Sequence, residues 1–200
     1  MAGRADVDAL LRIMPNDYGA DEHVDWAAAE AHLGTSLPGD YQAFMALYGG
    51  GSIDDLGIHS PLSGGNWAGA ISGHIEGLRE LWAMDGGVPG VQLGAERVLP
   101  WGSGCNANEL GWLMTSADPD RWPVVVWRRH GSPRWAVFEC GMAEFLRRLM
   151  TAEFDKCPLS DLSLWGHVGT FVHHLEQERR FHAGLDPMTG EPDPYAHMFG

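Results

Sequence analysis

The stretch LGTSLPGDYQAFMALYGGGS, residues 33–52, decides the fold. Pro38 suits the first turn of a helix, where its missing N–H would have had no partner. Tyr41, Phe44, Met45 and Tyr48 recur at i, i+3, i+4 and i+7, which is one helical face. Gly49, Gly50 and Gly51 stop that helix and permit a sharp reversal. A strand over 52–59 is expected next. Upstream, Gly34 closes a helix expected over about 23–33, with Asp21 as its N-cap. A shorter helix over 6–14, ended by Pro15, precedes it.

Downstream, 60–70 reads as a loop and 71–85 as a helix with Ile75, Leu78, Leu81 and Trp82 on one side. Strands follow over 97–101, 109–115, 123–129 and 134–139, separated by turn-forming residues. Consecutive antiparallel strands of this kind make a meander. Met142, Phe145, Leu146 and Leu149 mark a helix over 141–154 that lays one face on the sheet. A last helix is expected over 162–181, with Leu164, Val168, Phe171, Val172 and Leu175 as its stripe, before a proline-rich tail. Helices, then strands, then helices define an α+β fold with a central, mostly antiparallel sheet. The expected organisation is an N-terminal helix (1–20), a central domain (21–155), and a C-terminal helix and tail (156–200) packed on it.

A chain of 200 residues with 44% hydrophobic and 20% charged residues can bury a core of its own and is not disordered along most of its length. Its net charge of -14 opposes direct binding to phosphate backbones, so no nucleic-acid partner is expected. No Lys or Arg stands between Arg12 and Arg79, whereas Asp17, Asp21, Glu22, Asp25, Glu30, Asp40, Asp54, Asp55 and Glu76 do. Such a segment either keeps the surface solvated or attracts a basic partner and raises its on-rate. The three cysteines cannot all pair with one another, which suits a reducing compartment. The N-terminus lacks the apolar core of a secretion signal, and no run reaches the roughly 18 apolar residues of a membrane span. A cytoplasmic protein without a membrane partner is expected; the oligomeric state is left open.

Chemistry-bearing motifs are weak. No glycine-rich phosphate cradle with its lysine occurs. Ser103 and Cys105, among the glycines of GSGCNANE (102–109), have the look of nucleophiles, but no base adjoins Cys105, and a structural loop is the favoured reading. His174, Glu178 and His182 at i, i+4 and i+8 share a helical face. They span about 12 Å at ~1.5 Å per residue, so at most two could hold one ion, and a solvated face is the favoured reading. No cofactor, metal or catalytic residue is expected. Trp101, Trp112, Trp122, Trp127 and Trp135 suit core packing beside strands. Trp67, in a glycine-rich loop, could anchor a partner or fold back on the core.

The motif at 33–52 resembles the signature of the SUKH superfamily: a helix ending in Leu33 and Gly34, then Leu37 and Pro38, the acidic–aromatic pair Asp40 and Tyr41, Phe44, and the turn Gly49–Gly51. Residues 98–113, 123–127 and 138–150 are similar to later family segments, so the resemblance covers roughly 20–150. It implies an α+β domain around a mostly antiparallel sheet, with no enzymatic activity. It also implies bacterial immunity proteins that neutralise toxin domains, often nucleases or deaminases, and yeast regulators of cell-wall assembly. The expected function is therefore a non-enzymatic protein-binding module that neutralises a basic toxin domain. The alternative is a regulatory or scaffolding module with no toxin partner. Asp54, Asp55, Trp67, Glu109, Asp118 and Asp120 are the expected partner contacts, on loops and an open sheet face. Leu37, Pro38, Asp40, Tyr41, Phe44, Gly49 and Gly50 are expected to be structural.

Overall fold

The computed structural model describes residues 2–20, 22–62 and 69–195. Among them the helices are α1 (Ala2–Ile13), α2 (Trp26–Leu33), α3 (Gly39–Leu47), α4 (Ile71–Asp85), α5 (Met142–Met150) and α6 (His174–His182). The strands are β1 (Gly51–Ile53), β2 (Leu56–Ile58), β3 (Val98–Gly104), β4 (Asn108–Leu113), β5 (Val124–Arg128), β6 (Trp135–Phe138) and β7 (Phe171–His173). They form one sheet in the order β6-β5-β4-β3-β2-β1-β7, every named neighbour pair antiparallel. The expected meander is β3 to β6. The α+β class holds.

Both faces of the sheet are covered. On the first, Leu99, Trp101, Leu110, Trp112, Val124 and Val126 join Val7 and Leu10 of α1, Tyr41 and Phe44 of α3, and Phe145 and Leu149 of α5. On the second, Val98, Leu113, Val125, Trp127 and Trp135 meet Leu78 and Trp82 of α4. The run VVVW in β5 is apolar at every position because alternate residues serve two buried faces. The expected open face is thus partly closed by α4, a difference that the alternation in β5 already signals.

Three expectations change. The strand over 52–59 is a two-strand hairpin turning at Asp54-Asp55, where Ile53 pairs with Leu56. Ile53 and Leu56 are three apart, and an odd offset cannot put both on one face of a single strand. The helix over 162–181 becomes turns and coil, then β7, then α6. Gly166, at φ 70°, sits in a left-handed turn that a helix interior does not accommodate. Its supposed stripe divides accordingly, with Leu164, Phe171 and Val172 buried and Val168 and Leu175 exposed. Helix α2 starts at Trp26, and its N-cap is Asp25, whose carboxylate accepts from Ala28 N–H at 3.0 Å. Asp21 lies outside the described residues.

Candidate partner-binding site

Signature helix α3 is a structural hub. Pro38 precedes it, Leu37 is buried beside it, and its first amide, Gly39 N–H, donates to Asp120 Oδ1 at 2.7 Å. Asp120 thereby acts as a cap supplied from 81 residues away. Asp118 in turn accepts from Asp120 N–H at 3.2 Å and holds that turn. Both expected partner contacts are therefore tied into the scaffold. Replacing Asp120 by Ala is expected to lower stability by about 0.5–2 kcal/mol, as loss of an N-cap does. A urea titration that shows no change would remove the capping role.

Asp40 is buried and points the other way. Its carboxylate accepts from Tyr41 N–H at 2.8 Å and from Ala143 N–H at 3.0 Å, fastening α3 to the start of α5. Burial pushes its carboxyl above the ordinary range, and those two hydrogen bonds oppose the rise. Tyr41 is fully buried, stands edge-on to Trp112 and donates its hydroxyl to His59 O at 2.7 Å. Phe44 stacks on Tyr48 and meets Phe171 edge-on. Gly49 adopts φ 74°, and a Cβ there would lie 2.4 Å from the His173 ring, so the turn needs both the conformation and the space. A Cβ on Gly50 would strike Ser60 Oγ at 2.1 Å.

The expected acidic contacts fall at opposite ends of the sheet. Asp54 and Asp55 form the β1–β2 turn, beside the β3–β4 turn, whereas Asp118 and Asp120 lie where β4 gives way to β5. Asp54 is spoken for: at φ 46°, it accepts from Thr170 N–H at 3.0 Å. Asp55 is exposed. Cys105 N–H donates to Asp55 O at 3.2 Å, and Asn108, fully buried, donates to Asp161 Oδ2 at 3.0 Å. Desolvation, then the charges of Asp55 and Asp161, push the Cys105 thiol above its usual range. A thiol so placed is a poor nucleophile, in line with the structural-loop reading.

Glu109 lies on the second face, directly opposite Ser103 and Trp127. One ladder row there reads Ser52, Gly57, Ser103, Glu109: a half-buried polar strip in an otherwise apolar sheet. Desolvation raises the Glu109 carboxyl to about 7. At the edge of this strip His59 Nε2 lies 3.2 Å from Ser103 Oγ, and the His59 ring stacks on His74 of α4 at 3.8 Å. Burial, then His74, lowers His59 to about 3, so its ring is neutral. Among the described residues its Nδ1 is buried without a hydrogen-bond partner, so the serine–histidine pair stands there without a group that would orient it for nucleophilic chemistry. The arrangement offers a hydroxyl, a carboxyl and stacked rings for recognition. Sequence reading found Glu109 and noted Ser103 beside Cys105, and it missed His59 and His74. The available signal was alternation: Leu110 and Trp112 face the first core, which sends Glu109 to the other side.

Trp67 lies outside the described residues. His174, Glu178 and His182 are divided by the structure: His174 is buried against Gly50 O, while Glu178 and His182 form a surface pair at 3.9 Å.

A meander sheet crossed by a signature helix, with a carboxylate from that helix capping α5, makes this an α+β domain. The family model SUKH_6, described as SMI1-KNR4 cell-wall, matches residues 24–146. The chain belongs to this SUKH family. No curated protein and no solved structure matches it. No helix among the described residues is long and apolar enough to cross a membrane.

Proposed function

We propose that this chain is a protein-binding module of immunity type that neutralises a basic toxin domain acting on nucleic acid, of nuclease or deaminase type. Membership in the SUKH family supports a non-catalytic role. The observation that carries the finer reading is the base-free segment 13–78, which keeps Asp17, Asp25, Asp55 and Glu76 exposed. A toxin that grips phosphates needs a cationic surface, and an anionic partner can cover it and dock fast. Glu109 adds a carboxyl that a cationic group would draw into its charged form. The second reading is a regulatory or scaffolding module, favoured by the cell-wall description of the matched family.

Co-expression with a toxin encoded beside this gene tests the first reading. Co-purification and protection of the host support it; failure of both, with every neighbouring candidate, refutes it. Within such a complex, Asp55→Lys is expected to slow association by about 2- to 10-fold at low salt, with the difference shrinking as salt rises. Stopped-flow binding reads this directly. Asp55 is the residue to change because Asp54 also holds Thr170, and its loss would disturb the turn itself.

A further inference from the structure

Among the described residues, one group of histidine and carboxylate side chains converges as metal ligands do: Glu22, His173 and His174, whose donor atoms all lie within 4.8 Å of one another. We propose that these three residues bind a divalent transition-metal ion of zinc type, and that this ion pins the C-terminal segment to the signature turn. The proposal is independent of the function argued above.

Two of the three ligands are oriented by hydrogen bonds to Gly50. His174 Nδ1 lies 3.1 Å from Gly50 O. A carbonyl only accepts, so Nδ1 carries the proton and Nε2 keeps a lone pair for a metal. Glu22 Oε2 accepts from Gly50 N–H at 2.7 Å, and Ser60 Oγ lies 3.3 Å from Glu22 Oε1. His173 is nine-tenths buried or more, and among the described residues its Nε2 has no hydrogen-bond partner; Glu22 Oε2 stands 3.9 Å away. That separation is too long for a hydrogen bond and close to the spacing of two ligands on one tetrahedral ion, about 3.4 Å for bonds of about 2.1 Å.

Charge and access agree. Two neutral imidazoles and one carboxylate suit a divalent ion, and an N,N,O donor set favours zinc or cobalt over magnesium or calcium. A cleft of about 380 Å³ is lined by His173 together with Tyr18, Ala20, Glu176 and Arg179. Gly49 leaves the room: a Cβ there would sit 2.5 Å from His173 Nε2.

Binding has a local signature. His173 Nδ1 accepts from Leu175 N–H at 3.2 Å, which places the ring proton on Nε2. A metal on Nε2 requires that proton to sit on Nδ1 instead, and the Leu175 amide then loses its acceptor. The ring keeps one proton throughout, exchanged through solvent.

The test uses the full chain, freed of metal and titrated with Zn²⁺ against a chromogenic chelator, with Co²⁺ as the spectroscopic substitute. The expected result is one ion per chain, a tetrahedral-type Co²⁺ spectrum and a shifted Leu175 amide resonance. Glu22→Gln keeps an acceptor for Gly50 and, like His174→Gln, is expected to weaken binding by about 100-fold or more. His182→Ala, on the exposed face of α6, is expected to bind as the parent does. No stoichiometric uptake, equal uptake by the Glu22 and His174 variants, or loss of uptake in His182→Ala would overturn the proposal. Should the variants fail to fold, the parent chain still decides. Zinc that leaves the Leu175 amide and the ring nitrogens of His173 and His174 unmoved would refute it.

Discussion

Replacing Tyr41 by Ala is expected to lower the unfolding free energy by about 3–5 kcal/mol, the range for removing a fully buried aromatic ring. The ring fills the junction of α3 with the sheet, edge-on to Trp26 and Trp112. Its loss leaves a cavity that two indoles cannot collapse into without losing their own contacts. Tyr41→Phe separates the hydroxyl from the ring. It keeps the packing but strands the buried His59 carbonyl, at a cost of about 1–3 kcal/mol. Urea denaturation of both variants measures the two contributions. Equal losses would mean that the ring contributes nothing beyond its hydrogen bond.

Glu109→Gln is expected to stabilise the protein in mildly alkaline solution and to leave it unchanged in acid. Burial raises the folded carboxyl from 4.5 to about 7, so the folded state holds its proton more tightly than the unfolded chain. Below the unfolded value both states are protonated and no charge is buried. Between the two values the unfolded chain ionises first, and stability falls as pH rises. Above about 7 the full penalty is present. The strip around Glu109 is only half-closed, so solvent screening reduces the effect to about 1–3 kcal/mol. Glutamine has no charge to bury, so the variant's stability curve should lack this decline. Denaturation of both proteins at about pH 5 and about pH 8 compares them; parallel curves would contradict the assignment.

The order of elements was legible because its signals are local. Tyr41, Phe44, Met45 and Tyr48 share a helical face whatever surrounds them, and the turns at Gly34 and Gly49 need glycine in any fold. The meander was legible from its alternation and its polar turns. What was not legible depended on distant chain. Asp120 looks like a free acid in sequence, yet it caps a helix 81 residues upstream. Asp54 likewise looks free in sequence, and its carboxylate accepts from Thr170 N–H, 116 residues away. The stripe over 162–181 fits a helix on spacing alone, but β1 offers an unpaired edge that recruits Phe171–His173 as a strand. His59, Ser103 and His74 come together only because β2 pairs with β3 and α4 lies across them. No spacing rule joins residues from three separate elements.

The sheet's outermost position beside β1 is filled by β7, the last strand among the described residues, with Gly51 paired to His173. During synthesis the β1 border therefore stays bare until residues 171–173, far downstream of it, have left the ribosome. Every nascent copy passes through a period in which a row of backbone donors and acceptors is open to a neighbour on the same polysome. The order of synthesis thus opens a window for clumping that the finished, paired border does not offer.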